Sequence, residues 1–194
     1  MMQKQKLVLI TGANAAGKDT AASYISTRLE QDHALVIPVA GISTPLRTHF
    51  TERGIEPTRQ DLIDYNQALT AKYGEAVLAQ LALRQHSEPF MLTGLRQPKQ
   101  LSYLKTQTDI LHIAILTEAK NRYDRSIKAG KKGVEVTLDA FIESERRENS
   151  PPNSQRVEYI IQQAEHTVPN DETIQEFYLL LSAVLPTIYD HFKS

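Results

Sequence analysis

The chain has 194 residues, of which 41% are hydrophobic and 23% are charged, and its formal net charge is −1. This length suits one domain with a substantial core, and the charge balance argues against a generally basic nucleic-acid-binding protein. The absence of cysteine excludes disulfide bonds and cysteine-based catalysis or metal binding. Because we find neither a signal-peptide pattern nor an apolar run long enough to cross a bilayer, we expect a cytoplasmic protein with no membrane partner.

The apolar pattern predicts strands that alternate with helices. Continuous β-prone runs are typical of strands buried on both faces of a parallel sheet, and apolar residues at spacing four indicate amphipathic helices. In chain order the predicted elements are a strand at 7–10, a helix at 18–30, a strand at 35–39, a helix from Thr44 to about Gly54, a helix from Thr58 to Gly74, a helix around 77–81, strands at 90–92 and 110–116, a helix at 118–129, a loop from Asn149, a strand at 166–168, and a helix at 172–193 that Pro186 should kink or break. This alternation predicts a parallel α/β sandwich.

The stretch GANAAGKDT, residues 12–20, is similar to the phosphate-binding pattern G-x-x-x-x-G-K-[ST]. Glycines allow successive backbone N–H groups and the N-terminus of the next helix to face a polyphosphate, and Lys18 would lie between the β- and γ-phosphates. A strand before the loop and a helix after it match the context that the motif needs, although a glycine-rich turn with a surface lysine is the alternative. The predicted ATP-binding residues are Gly12, Asn14, Ala15, Ala16, Gly17, Lys18, Asp19 and Thr20.

Asp19 occupies the usual Ser/Thr position of this pattern, and Thr20 comes one residue late. Asp19 could contact Mg²⁺ through water, or it could simply be a favourable carboxylate in the first turn of a helix. Both readings stay open, and Asp19 and Thr20 are the candidate metal-binding residues. The expected cofactors are therefore ATP and Mg²⁺.

Basic residues follow the later strands. Arg47 lies in the first turn of a predicted helix, where a guanidinium and the helix N-terminus together suit a second anion. Arg122 and Arg125 lie three residues apart on one helix face, within a segment, 120–132, that holds six basic residues and one acidic residue. Each of these groups could instead be a solvated basic surface. A nucleic-acid partner is disfavoured because no aromatic residues interleave with the basic ones.

Taken in order, these segments resemble P-loop kinases of the nucleoside-monophosphate-kinase type, and most closely the dephospho-CoA-kinase-related proteins and the deoxynucleoside monophosphate kinases. The resemblance rests on GKDT at 17–20, the stretch at 47–80, TGLR at 93–96, AKNRYDRSIKAG at 119–130 and VPND at 168–171. It implies a three-layer P-loop NTPase fold, with a five-stranded parallel sheet and helices on both faces.

The resemblance also implies how the single domain is divided. Its core would comprise residues 1–40, 88–120 and 156–194. A helical acceptor-binding insert would occupy about 41–87, and a small lid region would occupy about 121–155.

The function implied is transfer of the γ-phosphoryl group of ATP to a small nucleotide-like acceptor, either a nucleoside monophosphate or dephospho-CoA. Arg47, Lys72 and Arg96 would bind the acceptor, and Lys18, Arg96, Arg122 and Arg125 would be catalytic, with Arg146 and Arg147 as further lid candidates. The sequence departs from the family where Thr93 replaces an aspartate and where Thr70 and Ala71, not an arginine, precede Lys72. An ATP-binding sensor of the same fold, with little or no transfer activity, is the alternative.

Overall fold

A five-stranded parallel sheet forms the centre of the molecule, in the order β2-β3-β1-β4-β5. The computed structural model describes residues 4–130, 137–150 and 155–194. Its strands are β1 Gln5–Thr11, β2 Val39–Gly41, β3 Phe90–Thr93, β4 Thr108–Leu116 and β5 His166–Pro169. The predicted α/β sandwich and five-stranded parallel sheet are therefore confirmed.

Helices cover both faces of the sheet. In the described ranges they are α1 Lys18–His33, α2 Thr44–Thr51, α3 Arg59–Tyr73, α4 Val77–Gln85, α5 Pro98–Gln107, α6 Ala119–Lys128, α7 Leu138–Glu148, α8 Val157–Ile161 and α9 Ile174–Lys193. None of them combines the length and apolar character that a membrane span requires.

The continuous apolar run of β1 supplies side chains to two cores. Val8 and Ile10 pack with residues of α1 and α9, whereas Leu7 and Leu9 pack with residues of α4, α5 and α8. Successive side chains of a strand point to opposite faces, so a strand covered by helices on both sides needs apolar residues at every position. This arrangement fixes the end of β1, from which the candidate phosphate loop begins.

The helix α3 differs from the other long helices in its burial. Its N-terminus carries the predicted capping box, in which the side chains of Thr58 and Asp61 each accept a hydrogen bond from the other residue's backbone N–H. Gly74 follows its C-terminus, as predicted. The helix contacts α2 and α4, yet none of its residues is buried.

Several predicted boundaries were wrong. The second strand begins at Val39 and not at residue 35, because Pro38 has no N–H to pair with a neighbouring strand. The helix α9 continues through Pro186, because apolar residues on both sides of the proline pack against the core. The helices α5, α7 and α8 had not been predicted, and Lys131, Lys132 and residues 151–154 of the predicted loop lie outside the described residues.

Candidate functional site

The loop between β1 and α1 has the tight geometry expected of a phosphate-binding loop. Gly12 has a φ of 149°, and a Cβ there would lie 2.6 Å from the carbonyl oxygen of Ile115 in β4. Gly17 has a φ of 98°, and a Cβ there would lie 2.4 Å from Nδ2 of Asn170. Neither position can accept a side chain without a shift of the backbone or the neighbouring amide. The two glycines of the motif are therefore required by close packing as well as by backbone conformation.

Lys18 folds back over this loop. Its Nζ donates a hydrogen bond of 2.7 Å to the carbonyl oxygen of Ala13. The turn beneath it is closed by a 3.2 Å bond from the Ala16 N–H to the same carbonyl, with Ala15 in the left-handed conformation. The ammonium group and the N-terminus of α1 thus lie at one loop, which is an arrangement suited to an anion.

A cavity of about 390 Å³ lies beside the loop. It is at the carboxyl ends of β1, β3 and β4, where open α/β sheets bind ligands, and its volume falls in the range of small-molecule sites. Lys18, Arg96 and Arg122 all line it. The structure therefore brings together three of the four predicted catalytic residues.

Arg96 bridges the phosphate loop and the segment after α7. Its NH2 group donates to Oδ1 of Asn14 at 2.7 Å, and its NH1 group donates to Oε1 of Gln155 at 3.1 Å. The same NH1 group is 3.9 Å from a carboxylate oxygen of Glu148. Arg96 therefore lies across the mouth of the loop. Its hydrogen-bond partners are uncharged, and the 3.9 Å contact with Glu148 compensates its positive charge only in part.

Arg122 is buried and already paired. Its Nε donates to the carbonyl oxygen of Thr117 at 2.9 Å, and its NH1 group forms an ion pair with Glu145 of α7. The guanidinium also lies 5.6 Å from the ring centroid of Phe141. Arg122 therefore joins α6 to α7, and a phosphate would have to compete with Glu145 for its charge.

Arg125 is not among the residues that line the cavity. Its NH2 group donates to the backbone carbonyl of Asn170 at 2.7 Å, in the loop after β5. In this structure Arg125 supports that loop.

Asp19 and Thr93 lie next to each other. The hydroxyl of Thr93, at the end of β3, donates to Oδ1 of Asp19 over 3.4 Å. Asp19 and Thr20 also line an open groove along α1, separate from the main cavity. Among the described residues, no three His, Asp or Glu side chains group into a metal site. Mg²⁺ usually keeps several waters and takes one or two carboxylates together with substrate phosphates, so Asp19 beside a hydroxyl fits a site of that kind.

The two remaining acceptor candidates lie elsewhere. Arg47 is exposed on α2 and Lys72 is exposed on α3, where its ammonium lies 5.0 Å from the ring centroid of Tyr73. Neither lines the cavity beside the loop. These two residues therefore do not share the lining to which Lys18, Arg96 and Arg122 belong.

Sequence reasoning missed the glutamates of α7. It had singled out Arg146 and Arg147 in this segment, but Arg146 is exposed and pairs with Glu143, while Glu145 and Glu148 line the cavity. The helical spacing of Glu145 and Glu148, three residues apart, could have shown that they share a face. What they face depends on the position of α7, which the sequence did not predict.

Comparisons with known proteins agree with this geometry. The chain is similar to a UPF0200 protein from Sulfurisphaera tokodaii, with 25% identity over 89% of this chain and 91% of that one. Its fold is similar to shikimate kinase from Acinetobacter baumannii (TM-score 0.55, 12% identity, 97% of this chain and 94% of that chain). It is also similar to APS kinase from Mycobacterium tuberculosis (TM-score 0.52, 13% identity, 99% of both chains). No family model matches the sequence.

These likenesses show that the chain has the same fold as these two kinases. The finer resemblance to dephospho-CoA kinases and deoxynucleoside monophosphate kinases stays a prediction.

Proposed function

We propose that this protein is an ATP-dependent phosphotransferase that acts on a small nucleotide-like acceptor, a nucleoside monophosphate or dephospho-CoA. In the reaction, the bond between the γ-phosphorus and the β–γ bridging oxygen breaks, and a bond from the phosphorus to an acceptor oxygen forms. The products are ADP and the phosphorylated acceptor, and an acceptor that reacts through a hydroxyl group, such as dephospho-CoA, also releases a proton. The observation that carries the proposal is the cavity in which Lys18, Arg96 and Arg122 converge beside the phosphate loop.

The roles of the residues follow from their positions. The loop from Gly12 to Thr20 and the ammonium of Lys18 would bind the phosphates, and Arg96 would stabilise the charge of the transferred group. Arg122 would contribute its charge once a phosphate replaces Glu145 as its partner. Asp19, with Thr20 or the hydroxyl of Thr93, would hold Mg²⁺, which supplies further positive charge to the phosphates.

The acceptor would be bound between the cavity and the helices α2 and α3. Two of the kinases with similar folds are named for shikimate and APS, which supports a small acceptor here. Arg47 and Lys72 would contact such a molecule if the proposed insert, residues 41–87, closed towards the loop. Closure of this kind around a substrate is common among enzymes that must exclude water.

A nucleotide sensor is the second candidate. Two observations favour it: Thr93 replaces the aspartate expected from the resemblance, and Glu145 already compensates the charge of Arg122. A sensor would bind ATP and change its α6–α7 contact without transferring a phosphoryl group.

An ADP-release assay with and without acceptors separates the two candidates. The acceptors are a panel of nucleoside monophosphates, dephospho-CoA and shikimate. An enzyme should release ADP in an acceptor-dependent manner, and Lys18→Ala should abolish this release and weaken ATP binding while the fold persists. Lys105→Ala is the matched control, because Lys105 is exposed at the far end of α5. Equal affinity of the parent and Lys18→Ala for MgATP would contradict the assignment of the loop.

A further inference from the structure

A buried asparagine holds the phosphate loop from behind. Asn170 directly follows β5 and is only 7% exposed. Its backbone N–H donates to the carbonyl oxygen of Leu116 at 2.8 Å, which extends the pairing of β4 and β5. Its side-chain Nδ2 donates to the carbonyl oxygen of Ala16, within the loop, also at 2.8 Å. The end of β5 is thus joined to the loop that follows β1.

Two further side chains support this contact. The hydroxyl of Thr117 lies 3.1 Å from the same Ala16 carbonyl oxygen and 3.3 Å from the carbonyl oxygen of Asn170, so its single proton is shared between these two acceptors. Arg125 donates to the backbone carbonyl of Asn170 at 2.7 Å and lies 3.4 Å from its Oδ1. A guanidinium can only donate, so the amide must turn Oδ1 towards Arg125 and Nδ2 towards Ala16.

The direction of the Ala16 carbonyl determines the direction of the next N–H. In a planar trans peptide, the C=O of Ala16 and the N–H of Gly17 point to opposite sides. Asn170 and Thr117 draw the carbonyl towards the ends of β4 and β5, so the Gly17 N–H is turned the other way, into the loop. Gly17 also has to lack a side chain, because a Cβ would lie 2.4 Å from Nδ2 of Asn170.

We propose that Asn170 is a positioning residue for phosphate binding, and that Thr117 and Arg125 assist it. Asn170 fixes the Ala16–Gly17 peptide so that the Gly17 N–H is already oriented towards an anion before the ligand arrives. Preorganised donors of this kind cost no reorganisation when charge is bound. This inference rests on the proposed function, because it assigns Asn170 a part in binding the phosphates of ATP.

Asn170→Asp is the sharpest variant, because it has nearly the same shape but replaces the donor NH2 with an acceptor oxygen. We expect its affinity for both ATP and inorganic tripolyphosphate to fall by at least about tenfold, since a buried carbonyl loses a partner and faces a carboxylate. Asn170→Ala, which adds no charge, should also lose affinity for both ligands, and parent-like affinity in that variant would assign the effect of Asn170→Asp to charge alone. The loss should be similar for the two ligands because the defect lies at the phosphates and not at the base. Asn66→Asp makes the same chemical change on α3 and should leave both affinities unaltered.

Thr117 offers an independent pair of variants. Thr117→Val keeps the shape and removes the hydroxyl, whereas Thr117→Ser keeps the hydroxyl. The valine variant should weaken tripolyphosphate binding, and the serine variant should restore it. If Thr117 acted only through the packing of its methyl group, the serine variant would bind tripolyphosphate more weakly than the valine variant.

The backbone amide resonance of Gly17 gives a readout that needs no ligand. In the ligand-free protein it should shift in Asn170→Asp and in Asn170→Ala, and stay in place in Asn66→Asp. An unmoved Gly17 resonance, or parent-like tripolyphosphate affinity in a folded Asn170→Asp, overturns the positioning role. If the Gly17 resonance shifts but the parent protein binds no ATP, the positioning of the loop stands and the proposed function fails.

Discussion

Replacement of Thr93 by aspartate tests the contact between β3 and the first turn of α1. The Thr93 hydroxyl lies 3.4 Å from Oδ1 of Asp19, so Thr93→Asp would put a second carboxylate against the first. At that separation two unit charges repel by about 5 kcal/mol at an effective dielectric constant near 20, and by about 1 kcal/mol in water. Asp19 is exposed but Thr93 is only 5% exposed, so the new carboxylate also loses hydration, and we expect the metal-free variant to lose at least about 2 kcal/mol of unfolding free energy.

Magnesium should reverse this loss. Two adjacent carboxylates bind a divalent cation better than one, so Mg²⁺ should stabilise Thr93→Asp more than it stabilises the parent. We also expect weaker ATP binding without Mg²⁺ and no gain in turnover, because the added charge faces the phosphates. Increased turnover would instead support the view that Thr93 has simply replaced the family aspartate.

The assay is urea unfolding of the parent, Thr93→Asp, Thr93→Ser and the double variant Thr93→Asp/Asp19→Asn, over a series of Mg²⁺ concentrations. The double variant removes the repulsion and should regain part of the lost stability without metal, because the carboxylate at position 93 stays buried. Thr93→Ser keeps the hydroxyl and should behave like the parent. A metal-free Thr93→Asp protein as stable as Thr93→Ser would refute the reasoning, since the two side chains could not then be in contact.

Three further predictions address other parts of the site. Arg96→Ala should weaken both ATP binding and acceptor use by roughly 1.5–3 kcal/mol, because Arg96 contacts Asn14 of the phosphate loop. In steady-state kinetics, Arg47→Ala should reduce acceptor use alone. Glu145→Gln should lower the free energy of unfolding by about 3 kcal/mol, because it leaves Arg122 buried without a carboxylate, and ATP should restore more stability to this variant than to the parent. Burial lowers the pKa of His112, in β4, to about 4. Between about pH 6.5 and pH 4 the unfolded chain therefore binds more protons than the native protein, and urea unfolding should show up to about 3 kcal/mol of stability lost over this range.

Each of these has a control or a contradicting result. Equal effects of Arg47→Ala and Arg96→Ala on ATP binding would show that the two arginines are assigned to the wrong sites. Glu148→Gln is the control for Glu145→Gln. Glu148 is half-exposed and lies 3.9 Å from Arg96, so this contact should contribute less than about 1 kcal/mol to the free energy of unfolding. His112→Gln should reduce the stability lost on acidification, and the remainder would come from His86 and His191, whose pKa burial also lowers. An unchanged pH slope in that variant would assign the whole slope to other groups.

The sequence predicted the parts of the site that depend on local pattern. The β1 run, the glycines and Lys18 are contiguous, so periodicity and the loop motif were enough to place them on a strand, a loop and a helix. The capping box at Thr58 was predictable for the same reason. By contrast, the boundary of β2 depends on pairing with β3, which no short window of sequence reveals, although Pro38 itself was visible in the sequence.

Contacts across the chain could not be predicted. Glu145 meets Arg122 only because α7 packs against α6, and Asn170 meets Ala16 across 154 residues of sequence. The same limit applies to Arg47 and Lys72, whose distance from the cavity depends on the placement of α2 and α3. Side-chain chemistry identified the candidates, but tertiary packing decided which of them converge.

The exposure of α3 has a consequence for how this protein can change over time. No residue of α3 is fully buried, although Leu62, Tyr65 and Leu69 pack, partly buried, against the core, so substitutions at its exposed positions open no cavity in the core and leave the sheet and the loop undisturbed. Recognition of the acceptor, if α3 provides it, can therefore diverge among relatives at little risk to folding. A library randomised at the exposed positions of this helix, with Leu62, Tyr65 and Leu69 retained, should remain largely folded, which makes α3 the natural starting point for redirecting the protein to a new acceptor.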